Sequence, residues 1–219
     1  MRQDLADITI ILDRTGSMEP IRDDTIGGFN RFVEDQRRGP GECLMTLAQF
    51  DSQEPFEVLY RAVPIGDVQP MTRDRYVPRA ATPLLDAIGR GINDTGKRLS
   101  EVAESERPEK VLFVVITDGL ENASREFKKA TIKEMVERQR EVYKWEFVFL
   151  GANMDAIQEG EALGVAPNAA ITVAPDAAGV RAAYASLGYV TTAYRAGAKS
   201  VAWSDEDREA QRRDQSKKR

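Results

Sequence analysis

Two alternating hydrophobic patterns run along this chain. Short apolar runs, many of them β-branched, predict strands at about residues 7–12, 42–50, 56–64, 111–116, 146–150 and 170–173. Longer stretches with apolar residues three and four positions apart predict helices at about 20–37, 82–104, 128–143 and 175–196, with a short helix after Asp155. Alternating strands and helices are typical of an α/β fold built on a mainly parallel sheet.

One pair of predicted strands breaks the alternation. Residues 42–50 and 56–64 are separated by only five residues, which leaves no room for a helix and predicts a hairpin. The second run ends at Pro64, as expected of an antiparallel edge strand. We therefore predict a doubly wound, Rossmann-like, mainly parallel six-stranded sheet with one antiparallel edge strand and helices on both faces. Residues 65–81 are expected to be irregular or to hold one short helix.

The domain organisation follows from the same patterns and from composition. Residues 1–203 are predicted to form one domain, and the polar, charged residues 204–219 a flexible C-terminal tail. The net charge of -5 argues against a nucleic-acid or anionic-membrane binder. Because no run is long and apolar enough to span a membrane and no signal-like start is present, we expect neither export nor insertion, and a cytoplasmic location.

Cysteine and histidine usage limits the chemistry further. The single Cys43 cannot form an internal disulfide and lies in a predicted strand, so we expect a packed thiol. The chain has no histidine, which excludes Ser-His-Asp and Cys-His catalysis and the usual zinc and iron sites. A metal ion in this protein would therefore be held by oxygen.

Oxygen-bearing side chains follow two predicted strands and open one helix. Asp13, Thr15 and Ser17 come directly after the first strand, Asp118 ends the fourth, and Thr82 opens the long helix. Ligands of open α/β sheets bind outside the carboxyl ends of the strands, where these residues are expected to converge. Two carboxylates and three hydroxyls suit Mg²⁺, with Mn²⁺ or Ca²⁺ as substitutes, and leave the ion able to bind a partner's carboxylate.

Each of these residues also has a simpler interpretation. Thr15 or Ser17 could cap the following helix, and Thr82 could be a helix N-cap with proline at the first helical position. Asp118 followed by glycine could be an ordinary turn. Three further residues are candidates for contacting a partner at the rim of the site, or are solvated loop residues: Asp51, Glu121 and Asn122.

The spacing of the five candidate ligands resembles the metal-ion-dependent adhesion site of the von Willebrand factor type A family. That motif is written D-x-S-x-S, followed by a distant threonine and a distant aspartate; residues 13–17, Thr82 and Asp118 match it position by position. The resemblance covers roughly residues 4–198 and is strongest to compact single-domain forms of bacteria and their phages. Thr15 departs from the usual serine, and residues 79–81 (Arg-Ala-Ala) stand where the family often has glycines.

The resemblance implies a non-enzymatic, Mg²⁺-dependent protein-binding module, an adaptor or scaffold that captures an aspartate or glutamate of a partner protein. Two alternatives remain open at this stage. One is a metal-dependent, phosphoryl-directed hydrolase, because a bound Mg²⁺ can also activate water or phosphate. The other is a structural cation site that stabilises the loops and binds no ligand.

Overall fold

The chain was analysed as a computed structural model that describes residues 1–216, with side chains described through residue 212. The strands within this range are Arg2–Asp13 (β1), Glu42–Phe50 (β2), Glu57–Pro64 (β3), Pro108–Thr117 (β4), Glu146–Ala152 (β5) and Ala170–Val173 (β6). The α-helices are Arg22–Arg37 (α1), Leu84–Ser100 (α2), Lys129–Tyr143 (α3), Ala156–Ala162 (α4), Ala177–Arg195 (α5) and Asp205–Ser216 (α6). The predicted strands and first five helices are therefore confirmed, apart from shifts at their ends.

The six strands form one sheet in the order β3-β2-β1-β4-β5-β6. All neighbouring pairs are parallel except β2 and β3, so β3 is the antiparallel edge strand that the hairpin spacing predicts. The order of connection reverses between β1 and β4. In open α/β sheets the crevice at such a reversal, at the carboxyl ends of the strands, is the usual ligand site.

Alternate residues of β1 pack into two separate cores, one on each face of the sheet. Ile8 and Ile10 belong to the core beneath α1 and α5, whereas Ile11 belongs to the core beneath α2 and α3. Gly91 of α2 allows this helix to pack closely against the sheet. A Cβ at that position would lie 2.7 Å from Ile11 Cδ1 and 2.9 Å from Phe113 Cζ.

Two expectations from composition can be compared with the structure. Cys43 is buried in β2, and burial raises the pKa of its thiol to about 11. A packed, neutral thiol is the result that its place in a strand predicts. Within residues 1–216, no helix combines the length and the apolar character needed to cross a membrane.

The C-terminal segment differs from its prediction as a charged tail without regular structure. Residues 205–216 form α6, and the buried Gln211 fixes this helix by accepting a bond from Ala174 N (2.8 Å) and donating one to Gly179 O (3.1 Å). Ser204 Oγ also accepts a bond from Asp207 N (3.1 Å), a cap that the Ser-x-x-Asp spacing signals. Composition alone concealed the helix, because its contacts to the domain are largely polar. Residues 217–219 of the predicted tail lie outside the described residues.

Candidate metal centre

Asp13 is the last residue of β1 and is fully buried. Its Oδ1 accepts a hydrogen bond from Thr15 N (2.7 Å), and its Oδ2 accepts one from Thr117 Oγ1 (2.6 Å). Tyr76 OH, also buried, donates to the main-chain carbonyl of Asp13 (2.6 Å). All of these donors are neutral, and Asp13 forms no ion pair among the described side chains. The carboxylate is therefore oriented but not neutralised.

A chain of hydroxyl contacts links Asp13's loop to the end of β4. Thr15 Oγ1 lies 3.1 Å from Ser17 Oγ, and Ser17 Oγ donates to Asp118 Oδ1 (2.6 Å) across 101 residues of sequence. Thr15 precedes a 3-10 turn, Gly16–Ile21, but its side chain caps no backbone N–H there. The helix-cap interpretation of these hydroxyls therefore does not apply. They face each other and the carboxylate of Asp118.

Thr82 is brought to the same place by the loop after β4. Its backbone N donates to Asn122 Oδ1 (2.8 Å), and its carbonyl accepts from Asn122 N (3.1 Å). Because α2 begins at Leu84, Thr82 does not occupy its N-cap position. A Cβ built on Gly119 would lie 3.3 Å from Thr82 Oγ1 and 3.5 Å from Ser17 Oγ, so the two hydroxyls flank one point in space.

The electrostatics of the two carboxylates indicate unmet negative charge. Burial raises the pKa of Asp13 to about 6, and the charge of Asp118 adds to the rise against the bonds from Thr117 and Thr15. Burial also raises the pKa of Asp118, although the bond from Ser17 opposes it. Two ionised carboxylates held in one buried crevice cost free energy unless a cation shares the site.

The donor set fits a hard divalent cation. It consists of two carboxylates and three hydroxyls, with no nitrogen or sulfur, which is the ligand chemistry of Mg²⁺ rather than of zinc or copper. Across the described side chains, no group of three or more acidic or thiol residues is arranged to hold a metal ion. A cation at these strand ends would therefore depend on the hydroxyls of Thr15, Ser17 and Thr82 as well as on the carboxylates.

Comparison with known proteins gives structural relatives only. No protein-family model matches the sequence, and no curated protein matches it. Among solved structures, the chain is similar to proximal thread matrix protein 1 from the mussel byssus with a zinc-occupied MIDAS motif, at 13% identity and a TM-score of 0.54. It is also similar to a von Willebrand factor type A protein from Catenulispora acidiphila, at 13% identity and a TM-score of 0.57. A third similar structure is the pilus adhesin SpaC from Lactobacillus rhamnosus GG, at 12% identity and a TM-score of 0.59.

Each superposition covers 85% of this chain, which decides the fold. The chain has the von Willebrand factor type A fold. It spans 46%, 42% and 30% of the three other chains, respectively, so it corresponds to less than half of each. At these identities the likeness concerns the fold of the chain.

The rim of the candidate site differs from the prediction at Asp51. This residue was a candidate for contacting a partner, but its carboxylate is fully buried and binds Arg14 (Nε, 2.9 Å) and Arg79 (Nε, 3.0 Å). Burial tends to raise its pKa, but the bonds from backbone N–H groups and Arg79 outweigh that effect, and the net pKa lies below its usual range. Asp51 therefore fixes loops and is not a surface contact.

Glu121 and Asn122 lie beside the candidate site and brace it. Asn122 is exposed and holds Thr82 through the two hydrogen bonds described above. The half-buried Glu121 accepts from Leu85 N (2.9 Å) in the first turn of α2 and from Ser124 N (2.6 Å) in its own loop. Both residues thus fix the loop that carries Asp118 to the helix that follows Thr82. Their predicted contact with a partner stays a prediction.

Sequence reasoning missed two residues that position Asp13 and a third that fixes the chain next to it. They are Thr117, Tyr76 and Arg14. Thr117 and Tyr76 hold the carboxylate and the carbonyl of Asp13, respectively, whereas the buried Arg14 binds Asp51, Gln49 and Glu57 on the neighbouring strands. The hydroxyl next to Asp118 was a local signal for Thr117. Nothing in the sequence near Tyr76, 63 residues from Asp13, indicates its role.

The two departures from the family motif have different structural consequences. Thr15 keeps the hydroxyl of the usual serine, and that hydroxyl faces Ser17. Ala80, where glycine is frequent, has a φ of 60°, in the left-handed region that favours glycine. Its carbonyl accepts a bond from Gly16 N (3.2 Å), so this strained position supports the loop that carries the candidate ligands.

Proposed function

We propose that this chain is a Mg²⁺-dependent protein-binding module. Asp13, Thr15, Ser17, Thr82 and Asp118 would hold the ion, directly or through water, and Mn²⁺ or Ca²⁺ could replace it. A carboxylate of a partner protein would occupy the remaining position. In this role the chain acts as an adaptor or scaffold rather than as an enzyme.

One observation supports this proposal most strongly: the hydroxyls and carboxylates of three distant segments meet, and no described cationic side chain pairs with them. Ser17 Oγ bonds to Asp118 Oδ1, while Asp13 has only neutral donors. The related fold of the mussel thread protein, whose MIDAS motif is occupied by zinc, adds support for a divalent ion at such a place.

The chemistry of the donor set explains why a partner would be captured. When bound, the cation supplies positive charge that the two carboxylates balance. The three hydroxyls are neutral, so they add no negative charge that would repel another anionic ligand. The domain's own residues provide the rest. Tyr76 and Thr117 orient Asp13, and Asn122 fixes the loop of Thr82, so the ligands are held in place before any partner arrives.

Metal binding is tested first, by titration calorimetry with MgCl₂ and MnCl₂. We expect one ion to bind the wild type and none to bind Asp13→Ala or Asp118→Ala. Asp67→Ala is the matched control, because its loss changes the charge equally. Asp67 is exposed just after β3, at the end of the sheet opposite to the candidate site. Binding by Asp13→Ala as tight as by the wild type would contradict the proposal.

Carboxylate capture is tested next, with synthetic peptides that carry a central Asp and matched peptides that carry Asn. We expect fluorescence anisotropy to detect binding of Asp-containing peptides in Mg²⁺, loss of that binding in EDTA, and no binding of the Asn peptides. Equal binding in Mg²⁺ and EDTA would overturn the proposal. Stabilisation by Mg²⁺ without binding of any carboxylate would instead favour a structural cation.

The hydrolase alternative is tested with a generic phosphate ester. Turnover that requires Mg²⁺ and is lost in Asp13→Asn would replace the binding function with phosphoryl chemistry. Within the described site, the side chains nearest the carboxylates are hydroxyls of Thr15, Ser17 and Thr117. The carboxylates that accept from Ser17 and Thr117 are the ones that would hold the cation, and the chain has no histidine to act as a base in their place, so we expect no turnover.

A further inference from the structure

A crevice of about 540 Å³ opens beside the candidate metal centre. Ala81 and Pro83, the two neighbours of Thr82, line it, and so does Asn122, which holds Thr82 in place. Arg90 and Arg125 line it as well. The volume is within the range of about 300–1,000 Å³ that is usual for ligand sites. Because both neighbours of Thr82 line the crevice, it adjoins the place of the candidate cation.

The wall of the crevice formed by residues 122–126 is held rigidly. The carboxylate of the buried Asp86 accepts bonds from the backbone N–H groups of Arg125 (2.8 Å), Glu126 (2.9 Å) and Phe127 (2.9 Å). Ser124 Oγ in turn accepts a bond from Asp86 N (3.0 Å). Because the loop is fixed to the first turn of α2 before any ligand binds, little ordering entropy remains to oppose binding.

Among the described charged side chains that line the crevice, one cation, Arg125, is left without a partner. Glu126 is paired with Arg90. Asp86 is 4% exposed, and its three backbone donors already use its carboxylate oxygens. The side chain of Arg125 is exposed, and among the described side chains it forms no ion pair or hydrogen bond. A ligand in this crevice therefore meets a free guanidinium on a fixed backbone.

We propose that the crevice binds the part of the partner chain that follows the metal-bound carboxylate, and that Arg125 selects a second acidic side chain in it. The inference rests on the proposed function and deepens it, because it defines the partner as a polypeptide segment with two acidic residues. The planar guanidinium of arginine matches a carboxylate geometrically and can donate two parallel bonds to it.

The test uses synthetic peptides with one fixed Asp and a second Asp moved one position at a time along either flank. Matched peptides carry Asn at the second position. We expect wild-type protein in Mg²⁺ to bind one spacing about three- to fivefold more tightly than its Asn partner, which is the upper part of the range for an exposed ion pair. Arg125→Gln is expected to lose this preference, and Arg125→Glu to reverse it.

Lys199→Glu is the matched control. Lys199 is exposed beyond the end of α5, away from the crevice, and its replacement changes the net charge by as much as Arg125→Glu does. We expect this variant to keep the preference for two acids. If Lys199→Glu and Arg125→Glu weaken every peptide equally, the effect is long-range charge and the inference is wrong.

The two levels of the proposal fail in different ways. If wild-type protein binds one-Asp peptides in Mg²⁺ but prefers no second acid at any spacing, the crevice proposal is overturned while the proposed function stands. If no peptide binds in a Mg²⁺-dependent manner, both are overturned. Circular dichroism of each Arg125 variant confirms that the fold is retained, as expected for an exposed side chain.

Discussion

Strand β1 buries two carboxylates, Asp7 at its middle and Asp13 at its carboxyl end, and the fold treats them in opposite ways. Asp7 and Asp13 are both fully buried, and because they are six residues apart they point to the same face of the sheet. Arg98 binds Asp7 with two parallel bonds, Nη1 to Oδ2 (2.7 Å) and Nη2 to Oδ1 (2.9 Å). Asp13 receives only neutral donors.

The difference is not due to a shortage of arginine near Asp13. Arg14 is its neighbour in sequence, yet its side chain binds Asp51, which Arg79 also binds. Arg14 and Arg79 thus both pair with Asp51 and not with Asp13. A buried carboxylate that the fold orients but does not neutralise indicates a site for a cation from solution.

Breaking the Asp7 pair should have the largest effect on stability. We expect Arg98→Met to lower the free energy of unfolding by about 3–5 kcal/mol, because it leaves Asp7 buried without its partner. Urea denaturation measures the change. The double variant Asp7→Asn/Arg98→Met should recover much of the loss. If Arg98→Met were as stable as the wild type, the contrast between Asp7 and Asp13 would be removed.

Asp13→Asn should have the opposite effect in metal-free protein. Because it removes an uncompensated buried charge, we expect a free energy of unfolding equal to or higher than that of the wild type. Mg²⁺ at a hundredfold excess over its Kd should add about 2.7 kcal/mol to the wild type and nothing to the variant. A large destabilisation of metal-free Asp13→Asn would place Asp13 with Asp7 as a structural carboxylate.

Gly119→Ala should weaken metal binding without unfolding the domain. The new Cβ would lie 3.3 Å from Thr82 Oγ1, so this hydroxyl must shift by a few tenths of an ångström, whereas Ser17 Oγ at 3.5 Å would be in ordinary contact. We expect roughly tenfold weaker Mg²⁺ binding by calorimetry, about 1.4 kcal/mol. Gly27→Ala in α1 is the control, because a Cβ there meets nothing within 4 Å. Unchanged affinity in Gly119→Ala would argue against Thr82 as a ligand.

The smallest effect is expected at Cys43, which pairs with Ala6 at the Asp7 end of the sheet. With a pKa raised to about 11, the folded thiol stays neutral from pH 7 to 9, so its labelling should remain slow throughout this range. In the unfolded chain, labelling should rise through a pKa of about 8.5. Thiol-reagent kinetics without metal should be the same for wild type and Asp13→Asn, and faster for Arg98→Met. Faster labelling of Cys43 in Asp13→Asn would mean that the surroundings of Asp7 and of Asp13 are coupled.

Much of the fold could be predicted because its signals are local. The strand β2 and the edge position of β3 follow from a hairpin spacing and a terminal proline, and both are confirmed. The helix α6 was missed for a related reason. Its sequence is almost entirely polar, and its anchors are a serine cap and the buried Gln211, whose partners lie more than 30 residues away.

The sequence could predict which residues form the candidate site, but not which carboxylates near it are paired with a cation. Asp13 and Asp118 follow strands that the parallel topology brings side by side, so their convergence could be expected from the order of elements. Asp51 also directly follows a strand, and its sequence context gave no sign that two arginines would pair with it in a buried position. Strand-end position identifies an aspartate as a candidate, but it does not reveal which cation reaches it.

By itself, the sequence determined the α/β architecture and the set of oxygen-bearing residues at the strand ends, because both depend on local periodicity and on residue type. Only the tertiary structure decided which carboxylates are neutralised from within the chain. Arg98 reaches Asp7 across 91 residues and Arg14 reaches Asp51 across 37. Such pairing depends on how elements pack against one another, and among the described side chains the packing brings no cation to Asp13 or Asp118.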